Sequence, residues 1–365
     1  MHIPTLLPFM RWTALAFAAS TAACSSAPLT PPSTNADGEV IPASEAAATA
    51  YVTQTIRATV QKGFDQEHHA YRDAHRKTHG CVQAQFKIQP DLPPALAQGL
   101  FAHVGQYDAV IRFSNGSGRS QDDHDRDARG MAVKVLGVRG ETLGEASGIT
   151  QDFVMTNHPV FFIHDAQDYT DFVRAMDGGV WHQAGWAVSH LFDNVPLLIA
   201  FVSHPIDNPL HTQYWSTTAS RLGPGQMKFS AKPCAGSAFD DAADQANSSP
   251  DRLAQNMRRQ LTSQSACFDF MVQLRTVPAH MPIEDPTVEW PEAESPFVTV
   301  ARIEVPPQTP DLGEACERLS FTPWHTLPEH QPLGSISRMR KVVYEEVSKL
   351  RHELNQQPRI EPTGR

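Results

Sequence analysis

Ser335-Ile336-Ser337-Arg338-Met339-Arg340-Lys341-Val342-Val343-Tyr344-Glu345-Glu346-Val347-Ser348-Lys349-Leu350-Arg351-His352-Glu353-Leu354-Asn355 reads as one helix. Gly334 and Pro332 break the chain before it, and Ser335 or Ser337 is a candidate N-cap. At the helical period Ile336, Arg340, Tyr344, Val347, Arg351 and Leu354 share a sector of roughly 80°. Met339, Val343 and Leu350 widen that face. An apolar stripe on a helix turns inward, and this one carries a tyrosine between two arginines. Buried guanidinium groups require anions, because an unpaired buried charge is costly. Glu345 and Glu346 lie off the stripe, so the anions must come from another segment or from a ligand. A phenol normally ionises near pH 10, and an adjacent arginine favours the phenolate. Tyrosinate is one of the axial ligands of haem iron, and haem carries two propionates. The competing reading is a packed aromatic with arginines that reach to water.

The 365-residue chain is long enough to bury a full core. Its net charge of −10 argues against a nucleic-acid partner. Residues 1–24 read as a targeting segment: Arg11, then the apolar run Trp12 to Ala23, then Thr21-Ala22-Ala23-Cys24. That box is similar to a lipoprotein cleavage site with Cys24 lipidated, and simple secretion is the alternative. The expected location is therefore exported and periplasmic, with any membrane attachment through Cys24. Residues 25–42 are rich in Ser, Pro, Thr, Asn and Asp and read as a disordered tether. Residues 43–365 form the expected functional domain. Its four cysteines, Cys81, Cys234, Cys267 and Cys316, allow two disulfides in three pairings.

A helix is expected from Ala43 to about Gln66. The following segment holds four histidines, and His75 and His79 have the spacing of a helical metal pair. From Val82 the apolar period becomes two. Strands are expected over 82–88, 109–114, 131–135, 152–156, 160–163, 227–232, 268–275 and 297–305. Helical patterns cover 166–176 and parts of 235–265. This is an α+β chain with an antiparallel β-barrel of about eight strands, flanking helices and a C-terminal ligating helix. A barrel of that size can hold a ligand at its mouth. Asn115-Gly116-Ser117-Gly118-Arg119-Ser120 lacks the lysine and spacing of a nucleotide cradle. On the strand 109–114, Arg112 and Ser114 share one face, opposite Ile111 and Phe113.

Several segments together resemble the haem catalase superfamily, in that family's order. They are Arg72-Asp73-Ala74-His75-Arg76-Lys77, Val110-Ile111-Arg112-Phe113-Ser114, the run from Asp127 to Val135, and Asn157-His158-Pro159-Val160-Phe161-Phe162-Ile163. Arg340-x-x-x-Tyr344 with Arg351 resembles the proximal motif. Phe321-Thr322-Pro323-Trp324-His325 and Pro332-Leu333-Gly334-Ser335 resemble the short branch of catalase-related peroxidases. The resemblance runs from about Arg72 to Leu354.

It implies haem b as cofactor and Tyr344 as the axial iron ligand, its phenolate held by Arg340. Arg72, Arg112 and Arg351 would meet the propionates. His75 would be the distal acid–base, with Ser114 fixing its tautomer, and Phe161 and Tyr169 would wall the distal side. His79 is the rival to His75, because Arg76 and His79 repeat half the motif. The family's distal asparagine aligns with Thr156, and Asn157 is its neighbour. In a strand these two point to opposite faces, so either one acts at the site. The implied reaction is peroxidatic reduction of hydrogen peroxide or organic peroxides by a small electron donor. The alternatives are a true catalase, an enzyme that rearranges fatty-acid hydroperoxides, and a haem-binding lipoprotein without turnover. An oligomer is allowed.

Overall fold

The computed structural model describes residues 33–144, 149–235 and 241–362. The targeting segment and the first part of the tether lie outside those residues. The remainder of the tether is ordered, contrary to expectation. Strands β1 (Ser33–Thr34) and β2 (Val40–Ile41) pair antiparallel. The Asn35 side chain closes their turn by accepting from the backbone of Asp37 and Glu39. Polar composition suggested a free chain, yet buried Glu39 is claimed by the C-terminal helix, where it accepts from Gly334 N at 2.7 Å.

Helix α1 (Glu45–Glu67) follows and stops at His68, which adopts a left-handed φ of 55°. Then come β3 (Thr78–Ile88), β4 (Gln106–Asn115), β5 (Arg129–Leu136), β6 (Thr150–Thr156), β7 (Tyr214–Trp215), β8 (Ser220–Leu222), β9 (Gly225–Pro233), β10 (Ala266–Leu274) and β11 (Val298–Val305). The sheet order is β10-β11-β3-β4-β5-β6-β7-β9, and pairing of β9 with β10 closes it. The result is an eight-stranded antiparallel barrel, with β8 added outside β9. Helices α2 (Ala166–Asp177), α3 (Val180–Ser189) and α4 (Asn194–Val202) lie in the β6–β7 connection. Helices α5 (Asp241–Gln245) and α6 (Arg252–Leu261) lie between β9 and β10, and α7 (Glu314–Glu317) and α8 (Ser335–Leu354) follow β11.

Side chains fill the barrel. Phe86, Phe101, Phe113, Phe153, Phe268 and Phe270 are buried there, with Phe153 and Phe270 at 4.7 Å between centroids. Each such ring contributes about 1.5–3 kcal/mol by leaving water. The mouth is therefore not the ligand site, and the outer face carries the polar groups. Val160 to Ile163, expected as a strand, makes no ladder. Phe161 N instead donates to Pro286 O at 3.0 Å, and the run packs against α2 and α4. The disulfides are Cys81–Cys316, tying β3 to α7, and Cys234–Cys267. Helix α8 begins one residue after Gly334 without a serine cap. Its first amides are taken by carboxylates from elsewhere, with Ser335 N donating to Glu284 Oε2 at 2.9 Å.

Candidate functional site

The segment Arg72–Lys77 is a loop, so His75 and His79 are not a helical metal pair. Among the described residues no cluster of three metal-ligating side chains is found. The Gly-rich stretch seats this loop: His75 N donates to Gly116 O at 3.0 Å and Arg76 N to Ser117 O at 3.1 Å. A Cβ at Gly118 would lie 2.0 Å from Asp73 O, so only glycine permits this approach. His75 takes a φ of 58°, an uncommon conformation for a residue with a side chain, held here by bonds on both sides.

The register explains where its ring sits. Ser114, Gly130 and Thr156 are partners across β4, β5 and β6 and form one row on the outer face. His75 Nδ1 meets Ser114 Oγ at 3.1 Å. A Cβ at Gly130 would lie 2.6 Å from the same nitrogen. The imidazole thus rests on the bare backbone of β5, with Thr156 next in the row. Burial, and then the neighbouring Arg112 cation, lower the His75 pKa to about 4. At neutral pH the ring is neutral and able to accept a proton.

His79 has a different role. It is the bulged residue where β3 shifts register between Thr78 and Gly80. Its Nε2 meets Asn115 Oδ1 at 2.9 Å, in a buried network with Arg129 and Asp123. The two histidines thus stand in different surroundings, His75 beside Ser114 on the outer face and His79 inside a buried polar network. Asn157 is buried as well. Its Oδ1 accepts from Arg129 N at 2.7 Å and its Nδ2 donates to His204 O at 3.1 Å, so both ends of the amide are tied to backbone. Thr156 stands beside Gly130 in the row that carries the His75 ring.

Arg72, Arg112 and Arg351 converge, as the resemblance implied. What the sequence did not reveal is Glu317, which joins them. Arg72 Nη1 donates to Glu317 Oε2, Arg112 Nη2 lies 3.6 Å from Oε1, and Arg351 Nη1 donates to the Glu317 carbonyl at 2.6 Å. Arg112 also donates to the His75 carbonyl at 2.8 Å, which links α8 to the His75 loop. Burial, and then Arg72, lower the pKa of both Arg112 and Arg351 to about 9. Burial alone would raise the Glu317 carboxyl, yet Arg72 and Arg112 hold it below its usual range. Three cations share one carboxylate, and the buried Arg112 Nε has no hydrogen-bond partner. The surplus of two positive charges fits a ligand that brings two carboxylates.

On α8, Arg340 and Tyr344 lie one turn apart on one face. The Arg340 guanidinium stands 5.3 Å from the Phe161 ring centroid and lines a cavity with Val154 and Thr218. It is also close enough to His75 to oppose protonation of that ring. Phe161, Tyr169 and Phe172 form a contiguous aromatic wall. Burial, and then the Asp73 carboxylate, push the Tyr169 phenol up to about 12, so it stays neutral. The donor set fits a haem: a helix phenol one turn from an arginine for the iron, surplus arginines for the propionates, and a neutral histidine for proton transfer.

The family model for catalase matches residues 37–194. "Catalase-2" of Caenorhabditis elegans is 23% identical over 73% of this chain and 56% of that protein. "Catalase A" of Pseudomonas putida is 34% identical over a shorter stretch, 30% of this chain and 22% of that protein. The chain thus spans little more than half of the first of these relatives and under a quarter of the second. A fungal catalase structure superposes with a TM-score of 0.63 at 18% identity, covering 80% of this chain and 61% of that one. Catalase A from Saccharomyces cerevisiae gives 0.61, again at 18% identity, over 83% of this chain and 67% of that one. The barrel, the order of the motifs and these comparisons agree: the chain is similar to the catalases and has their fold.

Proposed function

We propose that this protein is a haem peroxidase that reduces hydrogen peroxide or small organic peroxides with a small electron donor. The observation that carries the reading is the neutral His75 on Gly130. It is linked by Arg112 and Glu317 to Arg351, seven residues beyond Tyr344 on the same helix. The cofactor is haem b. All four body cysteines are held in disulfides, leaving none for covalent attachment of the porphyrin. Bound haem supplies the two-electron redox chemistry.

The protein's part is positioning and proton transfer. Tyr344 would hold the iron through its phenol oxygen, with Arg340 one turn earlier on the same helix face. Arg72, Arg112 and Arg351 would hold the propionates. His75 accepts a proton from the near oxygen of peroxide and returns it to the far one. Ser114 on Nδ1 keeps Nε2 free for that exchange. Thr156 offers a hydroxyl where an asparagine would offer an amide donor, so peroxide is held less firmly. That difference favours a peroxidase over a true catalase. Two formed disulfides accord with an exported protein.

The test sets oxygen release from hydrogen peroxide alone against oxidation of a phenolic donor. Donor oxidation well above oxygen release supports the peroxidase; oxygen release that dominates, with no donor turnover, makes the protein a catalase.

A further inference from the structure

Helices α3 and α4 meet at a bend of 110° and present two unlike faces. The inner face carries Trp186 and Phe201, which pack on Phe172 and Phe162. The outer face is bare. Trp181 is 88% exposed, Phe192 95%, and Val180 and Val188 76% each. From Val180 to Val202 the one formally charged residue is Asp193, whose carboxylate is spent on the amide of Asn194 at 2.6 Å.

The geometry points to a lipid bilayer surface as the partner of this face, with α3 and α4 lying in the interfacial layer. Three observations select that occupant. The two aromatics project almost wholly free, one in the first turn of α3 and one in the α3–α4 turn, as side chains that sink into a fluid phase do. The segment has no lysine, arginine or glutamate with which to build the polar rim of a protein interface. A second copy would bring another net charge of −10, which opposes association. The amino terminus adds an independent argument, resting on the reading of Thr21–Cys24 as a lipidation box. From Cys24 to Ser33 the chain spans at most roughly 30 Å. A lipid on Cys24 would hold the body that close to the bilayer and raise the effective concentration of the patch. The bent helices lie against the surface and do not cross it.

The test uses the full chain carrying Cys24→Ser, so that no lipid contributes, and vesicles of phosphatidylcholine alone. The expected result is co-flotation that falls at least tenfold in Trp181→Ser/Phe192→Ser and is unchanged by 0.5 M salt. Vesicles of brominated phosphatidylcholine should quench tryptophan emission less in Trp181→Phe than in its parent. Equal flotation of parent and double variant overturns the proposal, as does no flotation at all. A concentration-dependent dimer that the double variant abolishes, without vesicle binding, assigns the face to a second copy and also overturns it. Both positions are exposed, so an unchanged thermal melt shows the fold intact. Peroxide turnover is read separately: flotation by a chain without turnover supports the docking surface and counts against the enzyme reading alone.

Discussion

Two histidines four residues apart compete for one role, and their surroundings separate them. His75 leans on Ser114 and Gly130 on the outer face, whereas His79 is locked to Asn115 inside a buried network. His75→Ala should lower peroxide turnover about 10²–10⁴-fold with haem retained. His79→Ala should keep most specific activity and lower the melting temperature, because Asn115 loses a buried partner. Equal losses of turnover in the two would remove the distinction. Gly130→Ala makes a sharper test of the row. Its new Cβ has no room beside His75 Nδ1, so turnover should fall while the fold survives. The low His75 pKa sets the acid limb: protonation below about pH 4 removes the acceptor, so the kcat/KM profile should fall on the acid side near that value.

At the scale of elements, α8 is tied at its first turn as firmly as at its ligand face. Arg338 binds Glu45 at 2.7 Å and Glu284 at 3.0 Å, and it also pairs with Glu39. It joins the β1–β2 pair, α1 and the 278–296 loop to the helix that carries Tyr344. Arg338→Ala leaves three partly buried carboxylates without their cation and should cost about 3–5 kcal/mol. A urea midpoint unchanged by the substitution would contradict this. The barrel strands were legible because one face of each is buried, which imposes period two. Tyr214–Trp215 is too short to show a period, and Val160 to Ile163 mimics a strand because it is packed on several sides. The C-terminal helix and its arginine–tyrosine face were legible as well. Glu317 was not, since long-range links such as the Cys81–Cys316 bond and the Cys81–Arg112 register bring it to the arginines. Nor does strand alternation alone choose between Thr156 and Asn157; the bonds that tie the Asn157 amide to Arg129 N and His204 O are long-range contacts that sequence cannot show.

For the whole molecule, burial of histidine sets the response to acid. His75, His79, His330 and His352 are each lowered to about 4, first by burial. In the unfolded chain they titrate near 6.5. Between those values the unfolded state binds protons that the folded state refuses, so stability falls as pH drops from about 6.5 to 4. A thermal melt should lose on the order of 10 °C across that window. The central claim joins every scale: a phenol on the last helix faces a porphyrin iron held by arginines from three segments. The visible spectrum of haem-reconstituted protein, compared with Tyr344→Phe, tests it most directly. High-spin ferric tyrosinate haem in the parent, lost or altered in the variant, is the predicted result; an identical Soret band in both, or no haem uptake by the parent, would contradict it.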